Sequence, residues 1–297
     1  MAFTLAEYKK GTDDPRKAGI IQTFLDEAPL TRGLPFMSVN GSTIKETKKK
    51  TLNTTAFRAI NNDFVSSEGE IEEISEALKI IGGKITVDRA IETMEGKGRV
   101  ALSQMMMVQS IARGYNNAVF NGDGTGNSFT GLKARIHADQ TLAPTAAGAL
   151  SLGLLDEAIE ELAGSNPVIM CNTKMYSRFT QAMRNSGVAG NINFETNQFG
   201  ERVATYAGIP IVKAGRKADD SEVLGFDEAS DTTSLFVVAL DEARGVCGVQ
   251  NGQLNYFAPQ RESVANEYDI EWYTNFVLQA KRSALRINGI TDSAIIA

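Results

Sequence analysis

The chain is poor in the residues that most chemistry needs. Its 297 residues include one histidine, two cysteines, one tryptophan and seven prolines. His137 lies in a polar segment beside Arg135 and Asp139, where an exposed, structurally neutral imidazole is expected. A serine triad would need that histidine, and no GxSxG occurs. Cys171 and Cys247 stand far apart in separate apolar contexts, which predicts two buried thiols in a reducing cytoplasm. No apolar run approaches the ~20 residues that cross a bilayer; the longest clear one is Leu235–Leu240. The N-terminus, MAFTLAEYKK, lacks the charged, apolar, small-residue order of a signal peptide. The net charge of -6 argues against a dedicated nucleic-acid binder, which carries a basic excess.

What is present is one long amphipathic stretch, GRVALSQMMMVQSIARGYNNAVFN, over residues 98–121. At a helical period Val100, Ala101, Met105, Met107, Val108, Ile111, Ala112, Tyr115, Ala118 and Val119 share one arc. The opposite arc holds Ser103, Gln109, Ser110, Arg113, Asn116 and Asn117, with Leu102 and Met106 as apolar intruders. From Arg99 to Phe120 such a helix is roughly 33 Å long. Asn121-Gly122 is expected to end it in a left-handed cap.

Around this strut the chain divides into five parts. Residues 1–42 are rich in turn formers and poor in periodic apolar positions. They read as an extended arm in which Ile20, Ile21, Phe24 and Leu25 make one short helix before Pro29. Residues 43–70 hold Lys45, Lys48, Lys49 and Lys50, then NTTAFRAINNDF, then SSEGE. Threonines, aromatics and alternating polarity predict a β-hairpin too polar to pack both faces. A two-stranded excursion of that kind is marginal alone in water and is expected to lie across another subunit. Residues 71–145 continue with IEEISEAL, which fits helix or strand, and KIIGGKITVDRAIETM, which reads as strand, glycine turn, strand; the long helix follows. Residues 146–245 alternate helix, strand and loop, as in an α/β or α+β domain of about 100 residues. Within it Asn172 or Thr173 caps a helix, and SLFVVAL is a buried strand. Residues 246–297 close the fold, with Asn251-Gly252 as a hairpin signal between two strand-like runs.

The chemical motifs weaken on inspection. NGDGTGN at 121–127 places oxygen ligands like a calcium loop, but the twelfth position, where that loop needs a bidentate Glu, is Leu132. Gly82-Gly83-Lys84 lacks the upstream glycine and the Ser/Thr-to-helix context of a phosphate loop. No carboxylate pair stands out by its spacing. We expect no catalytic, cofactor or metal residues, and therefore a structural protein rather than an enzyme. An α/β enzyme built on 150–245 would have no phosphate loop, nucleophile elbow or histidine.

Five segments, in order, resemble the major capsid proteins of tailed bacteriophages. The long helix running into NGDGTGNSFTGL is similar to that family's spine helix and the turn after it. TLNTTAFRAINNDF followed by KIIGGKITVDRAIE resembles its extended loop returning to the peripheral domain. PVIMCNTKMYSRF resembles the opening of the axial domain, and YAGIPIVKAG its Gly–apolar–Pro–apolar strand. GVQNGQLNYF followed by EWYTNFVLQAKRSALRINGI resembles the return to the peripheral domain. The resemblance implies an α+β, HK97-like fold with an N-terminal arm, an extended hairpin loop, a peripheral domain carrying the spine helix, and an inserted axial domain. It implies hexamers and pentamers of this chain in an icosahedral shell around double-stranded DNA, within a virion assembled in the host cytoplasm. A separate scaffolding protein, a portal and decoration proteins are the implied partners; no membrane is. The encapsulin nanocompartment shell is the alternative, and the longer arm and polar loop favour the virus. Some members crosslink a loop lysine to an asparagine; Lys45 to Lys50 sit on the matching loop, but no partner Asn or catalytic Glu is identified. Contacts between subunits are expected at Lys45, Lys48, Lys49, Lys50, Phe57 and Arg58 of the loop. Their acidic counterparts are expected to be Glu68, Glu70, Glu72 and Glu73 of a neighbour.

Overall fold

A computed structural model describes residues 27, 28, 30, 33–96, 98–145, 148–184, 192–196, 202–257, 260–262 and 264–296. The arm helix expected at Ile20–Leu25 lies outside the described residues. In chain order the elements are β1 (Phe36–Ser38), β2 (Thr43–Thr51), β3 (Glu70–Ala77), β4 (Lys79–Asp88), α1 (Arg89–Glu95), α2 (Gly98–Asn121), α3 (Leu132–Arg135) and β5 (Thr141–Leu142). There follow α4 (Leu152–Glu160), β6 (Pro167–Cys171), α5 (Thr173–Ala182), β7 (Ile192–Thr196), β8 (Arg202–Tyr206), β9 (Ile209–Lys213) and β10 (Thr233–Ala239). The last are β11 (Val246–Gln250), β12 (Asn255–Tyr256), β13 (Gln260–Glu262), β14 (Ala265–Leu278) and β15 (Ala284–Ile290).

The strands form three sheets. In the first, β14 is the axis: β4 runs antiparallel along one edge, and β11, β12 and β13 pair with successive segments of the other; β1 joins β11 in parallel. The second has seven strands in the order β5-β15-β10-β6-β9-β8-β7. The third is the hairpin β2-β3 alone.

The long helix α2 spans the 24 residues its periodicity marked. Val108, Ile111, Ala112, Tyr115 and Val119 of the expected arc are buried against Ile85, Val87, Ile270, Trp272 and Phe276 of the first sheet. Tyr115 sits at the centre of an aromatic group, with ring centroids 4.8 Å from Trp272 and 5.6 Å from Phe129. Burying rings of this size contributes more than any other single contact type in such a core. The helix does not stop as expected. Gly122 has no positive φ. Instead the chain doubles back tightly, Gly131 N–H donating to Gly122 C=O at 2.8 Å. A Cβ at either glycine would overlap the Ala118 carbonyl.

In the seven-stranded sheet β10 is buried at every position. Phe236 and Val238 enter the core under α2, whereas Leu235 and Val237 enter a second core beneath α4 and α5. Met170 and Ile169 of β6 divide in the same way. Asn172 caps α5, its Oδ1 accepting from Met175 N–H at 2.7 Å.

Four expectations need correction. KIIGGKITVD is one unbroken strand, β4, paired with β14 over ten residues. Gly82 occurs there because a Cβ would overlap the Ile270 backbone; one at Gly83 would meet only the flexible Met107 thioether. IEEISEAL is strand, so the hairpin runs to Ala77 rather than residue 70. Asn251-Gly252 does not join a hairpin: β11 and β12 lie one after the other along β14. Residues 246–297 do not return as one unit. After β14 the chain crosses over, and β15 pairs with β10, because its Ile287 and Ile290 complete the second core.

Candidate assembly surfaces

The hairpin carries most of the residues expected to make contacts. Its legs are held by cross-strand pairing that sets Thr47 opposite Glu73, Lys48 opposite Glu72 and Lys49 opposite Ile71. Lys50 falls at a register shift between Lys49 and Thr51. Lys45 Nζ lies 3.7 Å from Glu73 Oε1, with both side chains largely exposed. One lysine and one glutamate expected to meet between subunits, Lys45 and Glu73, therefore already lie close within one hairpin. An exposed pair of that kind contributes ~0–1 kcal/mol. Glu70 N–H donates to Thr51 Oγ1 at 3.1 Å and closes the ladder; Glu68 is exposed beyond it.

The tip, residues 52–69, is a looped structure without strand pairing. Asn53 Nδ2 donates to Ser67 C=O at 3.3 Å and Ser67 Oγ to Thr54 C=O at 2.9 Å, which ties its two sides together. Arg58 Nη1 donates to Asn62 C=O at 3.0 Å, and the Arg58 guanidinium lies 5.3 Å from the Phe64 ring centroid. This framework holds Leu52, Phe57, Ile60, Phe64 and Val65 out in solvent; Phe57 is fully exposed and Ile60 is 91% exposed. Single exposed apolar residues are ordinary; five held out on one loop are not.

The base of the hairpin is anchored by residues that the sequence did not single out. Arg135 of α3 grips Glu76 through both amine nitrogens, at 2.5 and 2.6 Å. Its Nε donates to Thr130 C=O at 2.7 Å. Asn275 of β14 donates to Glu76 Oε2 at 3.3 Å and to Ala77 C=O at 3.0 Å. Beneath them Ile44 packs in a small core with Cys247, Val249 and Val277. No local pattern marks this anchor, because its members come from positions 44, 76, 135 and 275.

A second cluster of charge ties α3 to the seven-stranded sheet. Glu228 accepts from Ser234 Oγ at 2.7 Å and pairs with Lys133 at 2.8 Å and Arg286 at 3.0 Å. Burial by itself would raise the Glu228 carboxyl. The hydrogen bonds from Lys133 and Ser234, with the Lys133 and Arg286 charges, outweigh that and hold it below the ordinary carboxylate value.

The other flagged positions are structural. Asp123 accepts from Thr125 N–H at 3.0 Å and Thr125 Oγ1 at 2.6 Å, closing the glycine-rich loop on itself. Among the described residues no group of three or more His, Cys, Asp or Glu side chains is placed to hold a metal. His137 is exposed at the start of a short 3-10 turn. Cys171 and Cys247 are both buried thiols, as expected, and Cys247 Sγ donates to Met37 Sδ at 3.5 Å. Among the described residues no helix is long and apolar enough to cross a membrane.

No family model and no curated protein sequence matches this chain. Solved structures do. The holo-SrpI encapsulin of Synechococcus elongatus PCC 7942 superposes with a TM-score of 0.68 at 14% identity, over 97% of this chain and 91% of that one. The cyanophage A-1(L) capsid gives a TM-score of 0.63 at 12% identity, over 89% and 93%. The capsid of a native GTA particle gives 0.62 at 13%, over 87% and 89%. This is the HK97-like capsid fold. It is found here in an α+β chain that is only 12–14% identical to those structures. The HK97-like framework is carried instead by topology: a long helix across a sheet, an isolated hairpin, and a second sheet most of whose strands lie between the segments of the first.

Proposed function

We propose that this chain is the major capsid protein of a tailed phage, assembling with copies of itself as hexamers and pentamers into an icosahedral shell around double-stranded DNA. The observation that carries the reading is the hairpin: a two-stranded arm, outside both large cores, with five large apolar side chains held at its tip. Such an arm gains little from its own chain. A tip that fits a different surface on the next copy makes a head-to-tail contact, and head-to-tail contacts close into rings. On this reading β2, β3 and the tip are the extended loop and α2 is the spine helix. The β14-centred sheet is the peripheral domain, and the seven-stranded sheet is the axial domain. Phe57 and Arg58 at the tip are then contact residues, and the acidic leg of the hairpin balances its own lysines.

Negative-stain microscopy of the purified protein tests this. Uniform hollow shells or hexameric rings are expected; a chain that stays monomeric at every concentration and with its neighbouring gene products would sink it. A second reading, an encapsulin-type compartment shell, is favoured by the overlay on the cyanobacterial encapsulin along 97% of this chain. The contents of shells from the native source separate the two: genome-length DNA for the first, a protein cargo for the second.

A further inference from the structure

Asn-Gly steps occur in the chain at Asn40, Asn121, Asn251 and Asn288. Such a step carries its own chemistry: the glycine nitrogen can attack the asparagine side-chain carbonyl, because no Cβ on the glycine hinders the approach. Most of these steps are tied down. Asn121 donates to Asn117 Oδ1 at 2.8 Å and to Val223 C=O at 2.9 Å, and the buried Gly122 donates its N–H to Ala118 C=O at 2.9 Å. Asn288 and Gly289 lie in β15 between Ile287 and Ile290, both fully buried. Asn251 donates from its side chain to Gly41 C=O at 2.9 Å and from its backbone to Tyr273 C=O at 3.0 Å. Asn40-Gly41 differs. Both residues are exposed, in the bend that joins β1 to β2. Val39 N–H donates to Gln250 C=O at 2.9 Å before the bend, and Ser42 C=O accepts from Leu78 N–H at 2.8 Å after it. Among the described residues no hydrogen bond reaches the Gly41 N–H or the Asn40 side chain.

We propose that Asn40-Gly41 is a site of spontaneous covalent modification, at which Asn40 loses its amide and becomes aspartate or isoaspartate. The Gly41 nitrogen gives its proton to hydroxide and bonds to Asn40 Cγ. The Cγ–Nδ2 bond breaks and ammonia leaves, so that a succinimide ring joins the two residues. Water then opens the ring. Cleavage of the bond from Gly41 nitrogen to Cγ gives aspartate on an ordinary backbone. Cleavage of the bond to the Asn40 backbone carbonyl carbon gives isoaspartate, whose main chain runs through Cβ and Cγ. One water is consumed for each ammonia released, and nothing is oxidised or reduced. Either product makes the chain one unit more negative. The isoaspartate form also lengthens the connection between β1, which is paired with β11, and β2, which is paired with β3. The change therefore falls at the root of the hairpin, on the strand by which the chain enters it. The inference does not depend on shell formation, because every reacting atom lies within two adjacent residues and solvent.

The test is a time course on the purified, unassembled full chain in mildly alkaline buffer, followed by peptide mapping with mass spectrometry. The other Asn-Gly steps are internal controls. Asn40 is expected to convert at least about tenfold faster than Asn121 and Asn288, which react only after local opening, and faster than Asn251. Isoaspartate is expected among its products, identified by electron-transfer fragmentation, because direct hydrolysis of the amide yields aspartate alone. In the chain unfolded by urea the sites are expected to convert at similar rates, since each is then the same dipeptide in open solvent. Conversion of Asn40 no faster than Asn121 and Asn288 in the folded chain would overturn the inference, and so would aspartate as the sole product. A preference for Asn40 that persists undiminished in urea would place its cause in neighbouring sequence rather than in the exposed bend, and would overturn it as well.

Discussion

The seven-stranded sheet and the hairpin are both built from strands, yet their relations to solvent are opposite. Every residue of β10 is buried, and its alternate side chains feed two separate cores. Of the tip residues 52–69, only Ser67 is even partly buried. The sheet gains its stability from apolar area removed from water by its own chain. Beyond its anchored base the hairpin has no such source, and its bonds there are exposed ones worth little each. On the proposed function the difference separates folding from assembly: one region sets whether a single chain is stable, and the other would set what a chain does when it meets another.

That contrast is breakable at several points. The largest effect on folding is expected from Phe236→Ala. Its ring is fully buried between α2 and β10, and its loss should cost about 3–5 kcal/mol in denaturant unfolding of the unassembled chain. A cost below 1 kcal/mol would mean that β10 is not the shared wall described. Next comes the hairpin anchor. Glu76→Gln breaks a two-pronged contact and should cost about 2 kcal/mol, while raising hydrogen exchange in β2 and β3 above that in β14. Exchange that rises equally everywhere would remove the anchor's special role.

Glu228 gives a smaller, pH-dependent effect. Its folded value lies below its ordinary 4.5, so its contribution is complete above that pH and is lost as pH falls through the folded value. In Glu228→Gln the melting temperature should fall less between about pH 6 and pH 3 than in the parent, because that proton uptake is gone. Parallel curves would show that the cluster carries no such linkage.

The smallest effect on folding is expected at the tip. Phe57→Ser should leave the unfolding free energy within about 0.5 kcal/mol yet abolish shells, as counted by sedimentation and microscopy. Normal shells would detach the tip from assembly. Reversing Lys48, Lys49 and Lys50 together to glutamate should likewise spare the core and reduce shell yield; the β3 leg then faces like charge across the ladder. Unchanged yield would leave those lysines as solvated spacers.

Much of the fold was legible where a local pattern coincides with a burial pattern. The bounds of α2 follow from its apolar arc, and β10 from an uninterrupted apolar run. Where pairing partners are remote, the signal fails. TIKETKKKT and EIEEISEA carry no apolar face to bury, so only their register against each other makes them strands. Gly82-Gly83 has the local chemistry of a turn and is straight because β14 pairs with it residue by residue. Nothing around residue 280 announces that the chain leaves one sheet for the other. The candidate contact residues were found by composition, lysines and a lone aromatic on a polar loop. The anchor at Glu76, Arg135 and Asn275 was not, since its parts meet only in the folded chain.

The four-residue helix α3 does more than end a loop. Two positions apart, on opposite sides of it, Arg135 holds the hairpin through Glu76 and Lys133 holds the seven-stranded sheet through Glu228. A load applied at the tip passes down two strands to α3, which then acts as a rocker with one grip on each side. Swinging the hairpin must either lengthen the Lys133–Glu228 grip or carry the loop before β10 along with it. The hairpin and the seven-stranded sheet are thereby fastened to one and the same helical turn, by one ion pair on each side.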